Sequence, residues 1–195
     1  MTRARVAGLC LLVAGCLLAA GLSATQHVTR PAATRGASTG PPTGPPAPAG
    51  APVGISIPAI GVDAPVTGVG LRSDGAMEVP AVDLAGWYEL GPRPGDPGPA
   101  VIVGHVDSRR GPAVFYRLRQ LHQGERILVR RAGGTTSAFT VETVEQQSKS
   151  TLPVGRIWNR TTEPVLRLIT CGGSFDRASG HYRDNVIVYA KLSRP

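Results

Sequence analysis

The chain has 195 residues, of which 42% are hydrophobic and 17% are charged. This composition can build the core of one domain with appendages, and it excludes both a multidomain protein and a wholly disordered one. Glycine and proline contribute 25 and 18 residues. Turns must therefore be frequent and long helices few, which favours β architecture.

The net charge of +8 is divided equally between two unequal parts of the chain. Residues 1–50 contain four arginines and no acidic residue, which is +4, and the other 17 basic and 13 acidic residues leave +4 for residues 51–195. The longer part is therefore only mildly basic. Its one dense cluster is interrupted by Gly111 and Pro112 and is expected to be a solvated face: Arg109, Arg110, Arg117 and Arg119. We expect no nucleic-acid partner.

Residues 1–24 are predicted to form an N-terminal membrane anchor. Val6–Ala24 carries no charge and follows two arginines. As a helix it would be about 28 Å long, close to the thickness of the hydrocarbon core of a bilayer. The positive flank would stay cytoplasmic, which predicts a single-pass protein at the cell membrane with the rest of the chain extracytoplasmic. A cleaved signal segment and lipidation at Cys16 are the alternatives.

Residues 25–50 are predicted to be a disordered linker between the anchor and a folded domain. The segment is rich in proline, glycine and alanine and has too little apolar material for a core. The remaining residues, 51–195, are then one catalytic or binding domain.

Seven short apolar runs in this domain, each bounded by glycine, proline or polar residues, have the length of β-strands. Such strands separated by turns predict an all-β barrel or sandwich. One further segment, Phe115–Leu121, is predicted to be a short helix. The seven runs are Gly54–Ile57, Ala64–Val66, Ala100–Gly104, Arg126–Arg130, Ala138–Val144, Val165–Thr170 and Asn185–Ala190.

The domain has a single cysteine, Cys171, because Cys10 and Cys16 fall in the predicted anchor. No disulfide can form within the domain. In an exported protein a leftover thiol indicates a reactive nucleophile or intermolecular pairing, and a buried core cysteine is the simpler alternative. Gly172 and Gly173 follow the cysteine and are expected to let the backbone leave the strand there.

Three side chains capable of chemistry lie where a predicted strand meets a loop: His105, Cys171 and Arg183. A thiolate is a nucleophile, an imidazole can protonate a leaving amine, and a guanidinium can stabilise an oxyanion. Together they predict acyl transfer, with Asp107 as a possible carboxylate partner of the histidine. His122 and His181 are rival histidines, and His181 is the stronger of the two.

The sequence resembles the sortase family, particularly its class E/F forms from high-GC Gram-positive bacteria. The resemblance spans about residues 51–192 and depends on three motifs in the family's order, namely Val101-Ile102-Val103-Gly104-His105, Leu168-Ile169-Thr170-Cys171 and Tyr182-Arg183-Asp184-Asn185-Val186. Arg167 stands where the family motif usually has Thr, and we expect its side chain to face away from the cysteine.

This resemblance implies an eight-stranded β-barrel with one or two short helices and a cysteine transpeptidase activity. Cys171 would attack the Thr–Gly bond of an LPxTG-like sorting signal, and His105 would act as general acid and base. Arg183 would stabilise the oxyanion and hold the substrate, while Thr170 would line the binding site. The partners would be the sorting-signal peptide of exported proteins and an amine, expected on a cell-wall precursor.

We expect no metal and no cofactor. Some sortases bind calcium through acidic loop residues, but Glu78, Asp83 and Glu89 are dispersed and lack the spacing of a calcium loop. Leu152–Gly155 superficially resembles a sorting signal, yet it lacks the Thr before Gly. We expect this segment to be a loop beside the substrate groove.

Two alternative functions remain open. An L,D-type peptidoglycan transpeptidase also uses His and Cys, but that family places His and Gly immediately before its cysteine, where this chain has Ile169 and Thr170. The other alternative is a non-catalytic exported β-domain that binds wall polymer and keeps Cys171 as a core residue.

Overall fold

The computed structural model describes residues 50–193, and the predicted anchor (1–24) and nearly all of the predicted linker (25–50) lie outside this range. In residues 50–193, no helix has the length and apolar character needed to cross a membrane. The strands are β1 Pro52–Ile57, β2 Val62–Val69, β3 Ala85–Tyr88, β4 Gly98–Val103, β5 Asp107–Ser108, β6 Gly111–Pro112, β7 Arg126–Arg131, β8 Thr136–Ser148, β9 Pro164–Asp176 and β10 His181–Leu192. One short helix, α1 Val154–Ile157, and three 3₁₀ turns, Pro58–Ile60, Leu118–Gln120 and Lys149–Thr151, complete the fold.

Eight of the strands close into a barrel in the order β1-β2-β3-β4-β9-β10-β8-β7, while β5 and β6 form a separate small hairpin. The β2–β3 and β4–β9 pairs are parallel, and the other pairs in the barrel are antiparallel. The expectation of an all-β, eight-stranded barrel with few helices is confirmed. Closure leaves the barrel without unpaired edge strands.

All seven predicted strands are present, and the eighth barrel strand, β3, was missed. Its four residues, Ala-Gly-Trp-Tyr, are too short a run to show an alternating pattern. The predicted helix Phe115–Leu121 is a 3₁₀ turn at Leu118–Gln120. Its three apolar side chains are nevertheless buried in the barrel core as expected: Phe115, Leu118 and Leu121.

The barrel wall buries apolar side chains on both faces. Along β9, Leu166 and Leu168 belong to the core inside the barrel, whereas Ile169 belongs to a second cluster on the outside. Leu152 and Trp158, from the segment around α1, pack against this outer cluster. The outer face of β4, β9 and β10 is therefore covered by the chain that connects β8 to β9.

Arg167 lies on the same face of β9 as the cysteine, and the expectation that it faces away was wrong. The β9–β10 register is continuous from Val165 to Gly172, so residues four apart point to the same side. Arg167 is only 5% exposed, and its guanidinium lies 4.8 Å from the centre of the Tyr189 ring. Burial lowers the pKa of Arg167, although the neighbouring Tyr189 opposes the effect.

Candidate active site

Two parallel strands bring His105 and Cys171 to the same end of the barrel wall. β4 and β9 pair with Val103 opposite Ile169. The Gly104 N–H continues the ladder by donating to the Ile169 carbonyl oxygen at 3.1 Å. Because neighbouring strands are about 5 Å apart, His105 lies directly beside the part of β9 that carries Cys171.

Cys171 lies inside β9, although the sequence predicted it just beyond the end of a strand. β9 continues to Asp176, so the glycines after the cysteine do not end the strand. Instead, Gly173 has a φ of 73°, and the pairing with β10 shifts between Tyr182 and Asp184. The glycine therefore allows a bulge two residues beyond the half-buried thiol.

Asn185 lies directly opposite Cys171 in the β9–β10 ladder. Side chains in such a pair have Cβ atoms about 5 Å apart on one face of the sheet. Asn185 is 1% exposed, and its Oδ1 atom has no hydrogen-bond partner. The wall beside the thiol therefore contains a buried acceptor that the described residues leave unsatisfied.

His105 is anchored by a backbone carbonyl and not by a carboxylate. Its Nε2 atom lies 3.1 Å from the Pro80 carbonyl oxygen. A carbonyl oxygen only accepts hydrogen bonds, so Nε2 must carry the proton of this contact. In the neutral imidazole, Nδ1 is then the unprotonated nitrogen and the atom available for proton exchange.

Asp107, the candidate partner of His105, is engaged elsewhere. Its Oδ2 atom accepts a hydrogen bond from the Tyr182 hydroxyl. This bond, together with partial burial and the negative charges of Asp107 and Cys171, raises the pKa of Tyr182 to about 12. The Tyr182 ring also packs edge-on against Phe175, with 5.2 Å between ring centres. The pair thus connects the β5–β6 hairpin to β10.

The structure places Arg183 at the start of β10, where it forms an ion pair with Asp176. The distance between Arg183 Nη2 and Asp176 Oδ2 is 3.4 Å, and the arginine side chain is 66% exposed. The pKa of Asp176 is lowered mainly by the backbone N–H groups of Ala178 and Ser179 and further by Arg183. Within residues 50–193, Arg183 makes no hydrogen bond to Cys171.

A lysine that sequence reasoning did not select contacts the sulfur. The Nζ atom of Lys149 is 3.5 Å from the Sγ atom of Cys171. Lys149 opens the 3₁₀ turn that follows β8, just before the segment expected to form a loop beside the groove. In that segment the residues from Val154 onward form the short helix α1. The only sequence signal for Lys149 was its position just before that segment, in a polar stretch with no recognisable motif.

Thr170 faces the inside of the barrel. It is 4% exposed, and its hydroxyl donates a 2.8 Å hydrogen bond to the Gly104 carbonyl oxygen. This hydroxyl therefore joins β9 to the residue that follows the end of β4 and precedes His105. The resemblance implied that Thr170 would line the binding site, whereas its side chain lies on the opposite face of β9 from Cys171.

The two rival histidines lie away from the thiol. His181 pairs with Asp176, five residues along β9 from Cys171, which corresponds to about 16 Å. His122 is exposed in the turn before β7, where its backbone N–H donates a hydrogen bond to Glu125 Oε2 at 2.8 Å. Of the three histidines in residues 50–193, His105 is the one beside the cysteine.

The described part of the chain contains no group of three or more His, Cys, Asp or Glu residues that could hold a metal ion. A cavity of about 470 Å³ lies between the start of β2, the 82–83 loop and residues 112–117. None of the side chains that contact the sulfur or carry the predicted chemistry lines it.

The barrel carries a thiol on β9 and an imidazole two residues past the end of the parallel strand β4, which are the two groups that cysteine-dependent acyl transfer requires. The sortase domain model matches residues 55–193, well over half of the chain. The chain therefore belongs to the sortase family. No curated protein matches it in sequence.

Several solved structures share the fold. Sortase C1 of GBS pilus island 1 is 18% identical with a TM-score of 0.55, and the match covers 73% of this chain and 65% of that one. Sortase C-1 from Actinomyces oris is 20% identical with a TM-score of 0.57, and the match covers 73% of this chain and 71% of that one. The Clostridium perfringens sortase D5 transpeptidase is 21% identical with a TM-score of 0.54, and the match covers 74% of this chain and 79% of that one. These neighbours bear class C and class D names, so the class E/F likeness stays a prediction.

Proposed function

We propose that this protein is an extracytoplasmic cysteine transpeptidase that cleaves an LPxTG-like sorting signal between Thr and Gly. The observation that carries the proposal is the strand pairing that brings His105, two residues past the end of β4, beside the part of the parallel strand β9 that carries Cys171. The chain spans 65% of the length of the first structural neighbour, and its substrate, acceptor and membrane attachment are parts of this proposal.

The first half of the reaction forms a thioester. His105 Nδ1 first takes the thiol proton of Cys171, and Sγ then attacks the Thr carbonyl carbon as a thiolate, so that a C–S bond forms and the C–N bond to Gly breaks. The leaving amine takes a proton from His105 Nδ1, because Nε2 is held by Pro80. In the second half an acceptor amine gives its proton to His105 and attacks the thioester, which releases the sulfur. A free amine on a cell-wall precursor is the acceptor we propose.

Arg183 can serve the oxyanion and the substrate only after it leaves Asp176. The pair is exposed, and such pairs contribute roughly 0.2–1 kcal/mol. A substrate carbonyl or oxyanion that accepts a charge-assisted hydrogen bond offers a comparable or larger gain. The rotation of Arg183 toward the thiol on substrate binding is therefore energetically feasible. In the same proposal Thr170 acts indirectly, by holding Gly104 next to His105.

The test uses a small library of LPxTG-like and LAxTG-like peptides, with and without added amines. We expect cleavage between Thr and Gly, and peptide–amine products when an amine is present. Cys171→Ala should abolish the thioester, while His105→Ala and Arg183→Ala should lower turnover without unfolding the protein. Arg177→Ala, which removes an exposed arginine from the same hairpin, is the matched control for Arg183.

Three outcomes would oppose the proposal or its parts. A protein that cleaves none of the peptides and resists thiol reagents until denatured would support the wall-binding alternative. If His181→Ala abolished turnover and His105→Ala did not, the histidine assignment would be wrong. Turnover in Arg183→Ala equal to that in Arg177→Ala would remove Arg183 from the site.

A further inference from the structure

We propose that Lys149 is a further catalytic residue, whose ammonium group stabilises the Cys171 sulfur as an anion and orients it for attack. The inference deepens the proposed function and depends on it for the role in turnover. Its starting point is the 3.5 Å contact between Lys149 Nζ and Cys171 Sγ. A nearby cation favours the anionic form of a thiol, and the anion is the nucleophile.

The local structure holds the lysine in place from both sides. The preceding residue, Ser148, pairs with Asp184 of β10, and its hydroxyl accepts a hydrogen bond from the Ser150 N–H at 3.3 Å, which caps the 3₁₀ turn. On the other side, Leu152 packs against the outer apolar cluster. The backbone that carries Lys149 is therefore fixed beside β9 before any substrate binds.

The charge of Lys149 is available to the sulfur because no carboxylate in residues 50–193 forms an ion pair with it. In the part of the chain that the structure describes, the ion pairs involve other residues, and the one other lysine, Lys191, pairs with Glu142 at 3.3 Å. Lys149 is half-buried, where water screens a charge less than it does at an exposed position. A partly shielded ammonium that faces a thiol and lacks a carboxylate is suited to stabilising its anion.

Arg183, the cation expected at the oxyanion and the substrate, is held by Asp176 in this structure. The two cations therefore have separate tasks in the proposed reaction. Lys149 acts on the free enzyme, before substrate arrives, and Arg183 acts on the bound substrate. Lys149 keeps all three of its protons throughout: the electron pair on sulfur forms the C–S bond, and the proton that reaches the leaving amine comes from His105.

The experiment measures the rate at which iodoacetamide alkylates Cys171 at pH 7 in the folded protein. Lys149→Met removes the charge and keeps the length of the side chain, Lys149→Arg keeps the charge, and Lys191→Met is the matched control. We expect alkylation about tenfold slower in Lys149→Met, within about threefold of the unmodified protein in Lys149→Arg, and unchanged in Lys191→Met. Equal rates in all four proteins would overturn the proposal.

Folding is checked by circular dichroism and thermal unfolding of each variant. If Lys149→Met fails to fold, the charge is removed after folding, by acetylating the folded Lys191→Arg protein, in which Lys149 is the remaining lysine. The protein with both lysines replaced by arginine is acetylated in parallel. Slower alkylation in the first protein alone supports the proposal, and equal rates in both oppose it.

Alkylation requires no peptide, so this proposal and the proposed function can fail separately. Slow alkylation of Lys149→Met in a protein that cleaves no sorting peptide would retain the lysine effect and reject the transpeptidase assignment. Normal alkylation of Lys149→Met in a protein that cleaves the peptides would reject the lysine effect and retain the transpeptidase assignment. If both hold, Lys149→Met should lower kcat/KM by a factor similar to the loss in alkylation rate.

Discussion

The hydroxyl of Thr170 donates a 2.8 Å hydrogen bond to the carbonyl oxygen of Gly104. The bond joins Gly104, just past the end of β4, to a residue within the parallel strand β9. Gly104 and Thr170 each lie one residue before a residue that carries the proposed chemistry, His105 and Cys171 respectively. It is fully buried, because Thr170 is 4% exposed. The geometry between thiol and imidazole therefore depends on a side chain that faces the opposite side of the sheet from both.

Thr170→Val should test this bond, since valine keeps the shape and removes the donor. The Gly104 carbonyl oxygen would lose its hydroxyl partner in a buried place, so we expect a loss of about 1–3 kcal/mol in the free energy of unfolding. Peptide cleavage should fall as well, because Gly104 precedes His105. Urea unfolding measures the first effect and steady-state turnover the second. Thr170→Ser, which retains the hydroxyl, is the control, and equal stability of the two variants would contradict the expectation.

Asp107→Asn should lower the pKa of Tyr182 from about 12 toward its usual value of 10.0. The asparagine can still accept the hydrogen bond, but it lacks the negative charge that disfavours the phenolate. Phenolate absorbance is recorded against pH for the unmodified protein and for Asp107→Asn. Subtracting the curve of the same protein with Tyr182→Phe leaves the titration of Tyr182 alone. An unchanged titration in Asp107→Asn would show that the carboxylate charge is not the cause.

The Tyr182–Asp107 bond should also make stability depend on pH in the alkaline range. Because the folded pKa is raised, the neutral tyrosine contributes stability that is fully present below pH 10 and is lost as pH rises from 10 to about 12. Tyr182→Phe should therefore be less stable than the unmodified protein at pH 8, and the difference should shrink toward pH 12. Urea unfolding at both pH values measures it. A difference that stays constant would exclude this linkage.

Gly173→Ala should destabilise the hairpin that follows Cys171. Gly173 has a φ of 73°, which costs a non-glycine residue roughly 1–2 kcal/mol, and a Cβ atom there would overlap the Asp184 carboxylate. We expect a loss of more than 1 kcal/mol in the free energy of unfolding. Gly155→Ala is the matched control, because a Cβ at Gly155 meets no atom within 4 Å and alanine favours the helix there. Equal effects of the two substitutions would refute this account of Gly173.

Arg167→Met should leave the protein as stable as before or more stable. The buried guanidinium donates to the Leu166 carbonyl oxygen at 3.2 Å and to Asn159 Oδ1 at 3.3 Å. Its Nε atom has no partner, and no carboxylate lies within ion-pair distance in the described residues. Replacing a poorly compensated buried charge with an apolar side chain of similar volume is often neutral or stabilising by 1–4 kcal/mol. Arg167→Ala, which leaves a cavity, should instead lose about 2–4 kcal/mol. Thermal and urea unfolding compare the two, and a Met variant as unstable as the Ala variant would contradict this expectation.

Local pattern was enough to predict most of the fold. Seven strands follow from apolar runs between glycine and proline, because the side-chain period and the turn residues act over only a few positions. The order of the histidine, cysteine and arginine motifs predicted the family and the eight-stranded barrel. The short strand β3 was not predicted, since four residues show too little alternation. The continuation of β9 past Cys171 was not predicted either, because paired glycines usually indicate a turn.

The tertiary structure alone decided which groups meet at the thiol. Strand register determines side-chain direction: one continuous ladder turns Thr170 inward to Gly104 and puts Arg167 on the face of Cys171. Likewise, Lys149 meets the sulfur across 22 residues of sequence, and Arg183 meets Asp176 within its own hairpin. Sequence pattern encodes which residues are apolar and where the chain turns, but contacts between distant residues depend on how the strands align when the barrel closes.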